Sequence, residues 1–375
     1  MCQRVLIIVI ALLIPSPGSG QGREMVLNVS EGLATAMLRF GLAPGATDGL
    51  DAALGEMEIP PPPPAGGFDA RFTGIGYGEG IMTDLRHGDT ATTGARIHEM
   101  TVRADAGRAI TIGWDLRPDV RAELQDAATG VAMIGTMKDA GTCVLICRDV
   151  CTRMRLVVHY QPIFVRIRAF LQGPFNAATL RMNTLLRSTR VLAAQFGDGR
   201  APSLAVDSIT VEIRNAAASA SATVRRYASA WLLADGTVRR FADTAAAELL
   251  FDSASAGTYY VVIRHRNHLA VMSGIGLALS ASLTEHDFTT GQVRAYGLNP
   301  MKGLGPGGGA PFGLFAADGN ASGAINAVDM NAVWRPQNGT SSCYLGGDFN
   351  LNGFVNATDY VVYWRVNNGV IGQVP

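Results

Sequence analysis

Three stretches of this chain alternate apolar and polar residues with a period of two. That is the spacing of side chains on the two faces of a half-buried strand, and no helix can satisfy it. Ile110, Ile112, Trp114 and Leu116 interleave with Thr111, Gly113 and Asp115. Ile163, Val165, Ile167 and Ala169 interleave with Phe164, Arg166 and Arg168, and Ile209, Val211 and Ile213 with Thr210, Glu212 and Arg214. Tyr259 to Ile263 is a β-branched and aromatic run bounded by Gly257 and Asn267. Asp235-Gly236 lies between Trp231–Ala234 and Thr237–Phe241, the mark of a type I′ hairpin. The 44 glycines and 17 prolines agree with a turn-rich chain. The pattern predicts a mainly β protein with two β-sandwich-like domains, 68–200 and 204–298, parted at the polar stretch 197–202.

The flanks differ in character. Arg4 followed by the apolar run Val5–Ile14 and small residues from Ser16 to Gly22 predicts a signal peptide over 1–20. The run is too short to span a bilayer, which takes about 20 residues, so the mature chain is expected to carry no transmembrane segment. Residues 21–67 read as an N-terminal extended segment ending in five consecutive prolines, Pro60–Pro64, a stiff polyproline spacer. Residues 299–313 read as a Gly/Pro linker. Lys+Arg and Asp+Glu are both 31, which excludes a broadly basic nucleic-acid binder.

Little points to catalysis. There is no HExxH, no GxSxG and no phosphate-binding glycine loop. His265 and His268 end a strand, with Asp287 as a conceivable partner; they read as a polar strand end in solvent or packed on the second sandwich. Glu56 and Glu58 read as solvated. Export permits disulfides. Cys143, Cys147 and Cys151 recur every four residues and would share one face of a helix. With Cys343 remote, a disulfide among the three and buried free thiols both stay open.

The chemistry concentrates at the C-terminus, in a twelve-residue pattern that repeats after thirty residues. It runs from Asp318 to Asp329 and again from Asp348 to Asp359. Oxygen-bearing side chains stand at positions 1, 3, 5, 9 and 12: Asp318, Asn320, Ser322, Asn326 and Asp329, then Asp348, Asn350, Asn352, Asn356 and Asp359. Position 6 is Gly323 or Gly353, and position 7, Ala324 or Phe354, offers its carbonyl. This is the spacing of an EF-hand calcium loop, in which a hard cation gathers six to eight oxygens. It predicts two Ca²⁺ ions, with Ile325 and Val355 at position 8 turned into a core. Position 12 is Asp where the EF-hand has Glu. Two carboxylates per loop only balance one ion, which suits sites kept filled outside the cell. At calcium a hundredfold above its dissociation constant each would add about 2.7 kcal/mol, and the segment is expected to lose its fold in chelator.

The duplicated loop, its terminal Asp and the expected helices Ala327–Trp334 and Ala357–Trp364 resemble a type I dockerin over 314–369. The resemblance implies a calcium-folded module that plugs a secreted protein into a cohesin-like module or other surface scaffold. Ala327-Val328 and Ala357-Thr358 would then be the recognition pairs. More loosely, Ala46–Asp51, Phe68–Phe72, Phe170–Asn176 and Tyr259–Met272 are similar to a region of secreted bacterial multidomain proteins. The expected function is a secreted bacterial accessory or adhesion protein, extracellular or at the cell surface, with polysaccharide as a second partner class. The alternatives are a dockerin-bearing glycoside hydrolase with catalysis in the β part, and a purely structural surface-layer component.

Overall fold

A computed structural model of the chain describes residues 22–375 apart from 65, 75, 148–150, 219–224, 242–246 and 253. The expected leader at 1–20 lies outside the described residues. The protein is mainly β and divides into two compact units, one through Gln161 and one from Pro162.

The first unit holds β1 (Arg23–Glu31), β2 (Ala34–Ala43), β3 (Asp69–Phe72), β4 (Thr83–His87), β5 (Gly94–Arg103), β6 (Ala109–Asp115), β7 (Val120–Asp126), β8 (Ala132–Met137), β9 (Ala140–Ile146) and β10 (Cys151–Tyr160). They form two five-stranded sheets, in the orders β4-β2-β1-β6-β9 and β3-β5-β10-β7-β8. One core joins Leu27, Leu38 and Phe40 of the first sheet to Met100, Leu124 and Leu156 of the second. Residues 21–67 are therefore not an extended spacer. Met25, Leu27 and Val29 alternate along β1, Leu38, Phe40 and Leu42 along β2, and all six are buried, so burial drives the hairpin into the sandwich. The prolines run beside the second sheet, where the Pro60 and Pro63 carbonyls accept Arg71 Nη1 (2.8 Å) and Arg103 Nη1 (3.2 Å). Glu56 is fully buried, against expectation, because its carboxylate accepts the backbone N–H of Asp51 (2.7 Å) and of Leu85 (2.6 Å). Cys143 lies on β9 and Cys151 opens β10, so their spacing belongs to two strands and not to one helix face. Cys147 is a buried free thiol and Cys343 an exposed one.

The second unit opens with β11 (Ile163–Arg168), so the break between units falls some forty residues before the expected stretch at 197–202. The reason is pairing. β11 bonds to β17 (Leu249–Phe251) and in parallel to β21 (Thr284–Asp287), and β12 (Phe175–Asn176) pairs with β13 (Arg181–Met182). Against this three-stranded sheet packs a larger one of β14 (Ala205–Arg214), β15 (Arg225–Leu233), β16 (Val238–Arg240), β18 (Gly257–His265), β19 (His268–Met272) and β20 (Leu277–Leu279). Their shared core includes Val165, Ile167, Val211, Trp231 and Val261. The hairpin expected at Asp235-Gly236 joins β15 to β16, with a different turn. Gly236 alone of the pair has positive φ (85°), Leu233 and Thr237 close the turn, and the Asp235 carboxylate accepts the Thr237 N–H (3.0 Å).

Residues 299–313 are a folded loop, in contrast to the expected linker. Lys302–Gly303 pairs with Phe312–Gly313, and the Leu314 N–H donates to the Phe170 carbonyl (2.8 Å). The C-terminal segment is thereby held in the same unit as the second β part.

Candidate metal centre

Each twelve-residue loop is followed by a short helix, 327–337 and 357–367, π-wound over Asp329–Trp334 and Asp359–Trp364. The chain can make these loops because Gly323 and Gly353 adopt φ of 88° and 85°, a left-handed conformation that costs a residue with a Cβ about 1–2 kcal/mol. Position 4 is also left-handed, and there the residues are Ala321 (52°) and Leu351 (56°). Sequence reasoning gave no weight to that position.

The two loops repeat one hydrogen-bond pattern. The position 1 carboxylate accepts the N–H groups of positions 5 and 6: Ser322 (2.8 Å) and Gly323 (3.0 Å) to Asp318, Asn352 (3.1 Å) and Gly353 (2.8 Å) to Asp348. The position 12 carboxylate accepts from positions 3 and 9: Asn320 (3.3 Å) and Asn326 (2.8 Å) to Asp329, Asn350 (3.2 Å) and Asn356 (2.9 Å) to Asp359. Asn320 and Asn350 each accept from position 5 at 3.1 Å. In the first loop, Ser322 Oγ and Asn326 Nδ2 both donate to the Ala324 carbonyl, at 3.3 Å. In the second, Phe354 stands between Gly353 and Val355, whose backbone groups pair with 339–342. All twelve proposed donors thus lie in two compact oxygen-rich loops.

Among the described residues no salt bridge reaches these loops, and Arg266 acts on Asp348 only through its charge at a distance. Asp318, Asp329, Asp348 and Asp359 are all buried. Burial raises the carboxyl of Asp348 to about 6, against the N–H of Gly353 and the charge of Arg266, which lower it. Burial likewise raises Asp318 and Asp359. Among the described residues, no three His, Cys, Asp or Glu side chains gather as a metal-holding group. Each loop instead offers two carboxylates with amide, hydroxyl or carbonyl oxygens, a donor set that fits a hard cation and not zinc or copper. These residues fit calcium.

The loops are joined crosswise. Trp334 Nε1 donates to the Asn356 carbonyl (3.0 Å), and Trp364 Nε1 to the Asn326 carbonyl (2.9 Å). Tyr360 stacks on both indoles, with ring centroids 5.0 and 5.3 Å away. Ile325 and Val355 are buried, as expected of position 8. Each is also paired at its backbone, Ile325 with Val370 and Gly369, and Val355 with Thr340 and Gly339. Ala327, Val328, Ala357 and Thr358 are exposed, as are Val361, Val362 and Val366 farther along the second helix.

A second polar cluster lies where the β part meets this segment. His265 and His268 are buried, and the carboxylate beside them is Asp207, not Asp287, which caps the turn at Phe288–Thr290. His265 Nε2–H donates to Asp207 (3.1 Å). His268 Nδ1–H donates to Asn267 Oδ1 (2.8 Å) and faces His265 Nδ1 (3.1 Å), while its Nε2 accepts the Gly173 N–H (3.2 Å). Burial, above all, depresses both imidazoles and keeps them neutral. Burial opposes ionisation of Asp207 too, yet Arg266 (3.0 Å), His265 and the Tyr344 hydroxyl (2.6 Å) outweigh it and hold its carboxyl at about 2. The negative charge therefore sits on Asp207 and is balanced by Arg266. The Asp207 carboxylate, both imidazoles and the Tyr344 hydroxyl are occupied within the protein, and of the buried polar atoms described in this cluster Arg266 Nη2 lacks a partner. Pairing this extensive marks the cluster as structural.

No protein-family model matches the chain, and no curated protein does. Among solved structures, a chain of a type II cohesin–X–dockerin complex from Acetivibrio cellulolyticus matches with 17% identity and a TM-score of 0.29, over 56% of this chain and 97% of that one. A likeness this distant carries no argument about function. Among the described residues, no helix is long and apolar enough to cross a membrane.

Proposed function

We propose that the C-terminal segment binds two calcium ions and serves as a docking module, attaching an exported β-sandwich protein to a scaffold or surface protein. The observation that carries this reading is the pair of oxygen loops built on one hydrogen-bond pattern. Among the described residues these four buried carboxylates, two to a loop, have no salt-bridge partner, and two divalent ions would supply the counter-charge. In each loop two carboxylates just neutralise one ion. Modest affinity follows, which is adequate outside a cell, where calcium is abundant, and fits the proposed export and extracellular or cell-surface address. The docking face would be the exposed helix entry at Ala357-Thr358 and the valines that continue it, Val361, Val362 and Val366, since water-exposed apolar side chains in a row gain from being covered. A cohesin-like module is the partner of choice.

Calorimetric titration of the full chain with calcium tests the first half. Two sites are expected, and Asp329→Ala with Asp359→Ala should abolish both. Absence of binding in the unaltered protein would remove the calcium reading. Ala357→Arg with Thr358→Arg should leave both ions bound and abolish capture by immobilised cohesin-type modules. Unchanged capture would argue against this docking face.

A further inference from the structure

The two loops share a pattern but not their surroundings. Around the first, Asn320, Ala321 and Ser322 are exposed, and among the described residues no hydrogen bond joins 319–329 to the β part. Around the second, Asn350 is 9% exposed and Leu351 is fully buried within the core of the β part. The backbone there is gripped residue by residue. Asn267 Nδ2 donates to the carbonyls of Gly346 (3.1 Å) and Asp348 (2.7 Å), and Asn183 Nδ2 to that of Asn350 (3.2 Å). Arg266 donates to the Leu345 carbonyl. Gly173 approaches so closely that a Cβ on it would stand 1.7 Å from the Phe349 carbonyl oxygen.

The same short backbone is held from its other side by the proposed metal ligands. Asp359 accepts the N–H groups of Phe349 (2.8 Å) and Asn350 (3.2 Å), and Asp348 is itself a ligand. Residues 348–351 are thus shared between the second loop and the β part. Resting on the calcium reading above, we infer that the second loop is a calcium-dependent joint: its ion fixes the C-terminal module onto the β part, whereas the first loop binds its ion independently of that contact. Coupling of this kind is reciprocal. Loosening the grip from the β side must weaken calcium at the second site by the factor by which calcium tightens the grip.

The test uses the full chain with calcium as the probe. Asp329→Ala leaves the second site and Asp359→Ala leaves the first. Into each, Asn267→Ala is introduced, a side chain that is not a proposed metal ligand. Calorimetry should show affinity at the second site reduced about tenfold and at the first by less than about twofold. Asn183→Ala, whose side chain is only partly buried, serves the same purpose if Asn267→Ala does not fold. Hydrogen exchange gives an independent reading. Calcium should protect the amide of Gly173, which packs on Phe349, in the Asp329→Ala protein and leave it unchanged in the Asp359→Ala protein. Equal effects of Asn267→Ala on both sites, or none on the second, would overturn the joint while leaving calcium binding intact. Failure of the unaltered chain to bind calcium at all would remove both.

Discussion

At the scale of single residues, the carboxylates of the loops carry opposing demands. Asp348 is buried beside Asp359, and burial raises its carboxyl to about 6. A calcium ligand must be ionised, so an ion entering the second loop has to displace that proton once the pH falls to the same range. Affinity at the second site should be steady above pH 7 and decline as pH falls through about 6, reaching roughly a tenfold loss at pH 5. Calcium titrations of the Asp329→Ala protein at pH 7.5 and 5.0 check this; equal affinities would show that the ion displaces no proton from Asp348 in this range. The carboxylate and amide spacing was legible in the sequence because calcium loops place oxygens at fixed offsets. The left-handed Ala321 and Leu351 were not, since neither residue type signals positive φ.

At the scale of elements, the tandem loops stand as a pair through their tryptophans. Each indole N–H satisfies the position 9 carbonyl of the opposite loop, and Tyr360 stacks between the rings. Trp364→Phe keeps an aromatic ring but removes the indole bond to the Asn326 carbonyl, which then keeps only the Asp329 N–H (3.2 Å), at a cost of about 0.5–1.5 kcal/mol. The effect should cross over: Trp364→Phe weakens calcium at the first site more than at the second, and Trp334→Phe does the reverse. Titration of each variant in the single-site backgrounds decides the matter, and an effect confined to the tryptophan's own loop would refute the crossed bracing. The matched positions of Trp334 and Trp364 were visible in the sequence, but which carbonyl each indole reaches depends on how two helices meet. Strands read similarly. Period-two alternation placed β6, β11 and β14, whereas the equally regular Met25-Leu27-Val29 and Leu38-Phe40-Leu42 pass for loop when read beside a proline run.

At the scale of the second unit, its β part and its C-terminal segment are sealed by buried polar groups as well as by apolar packing. His265 and His268 are held neutral, with folded pKa values below the ordinary 6.5, because burial disfavours their charged forms. The unfolded chain therefore takes up protons first as pH drops. Their contribution is intact above pH 6.5 and is lost below it, by up to about 1.4 kcal/mol per histidine per pH unit. The melting temperature of the second unit should fall between pH 7.5 and 5.5, and the fall should be shallower in His268→Gln, whose amide oxygen can still accept the Gly173 N–H. Parallel pH curves for the two proteins would show that His268 is not responsible.

Local features could be read along the chain: alternating strands, the glycine-bearing turns, and two oxygen loops whose proposed ligands lie within twelve residues of one another. These follow from backbone period and from side-chain chemistry at fixed offsets, which a linear reading contains. Long-range packing settles where the units divide, that the glycine-rich stretch at 299–313 is a folded loop, and that the second oxygen loop is built into the β part. Those outcomes rest on meetings such as Asn267 with Asp348 and Gly173 with Phe349, across more than eighty residues of chain. Apolar burial and the need to pair buried polar groups select such meetings, and neither leaves a periodic trace in the sequence.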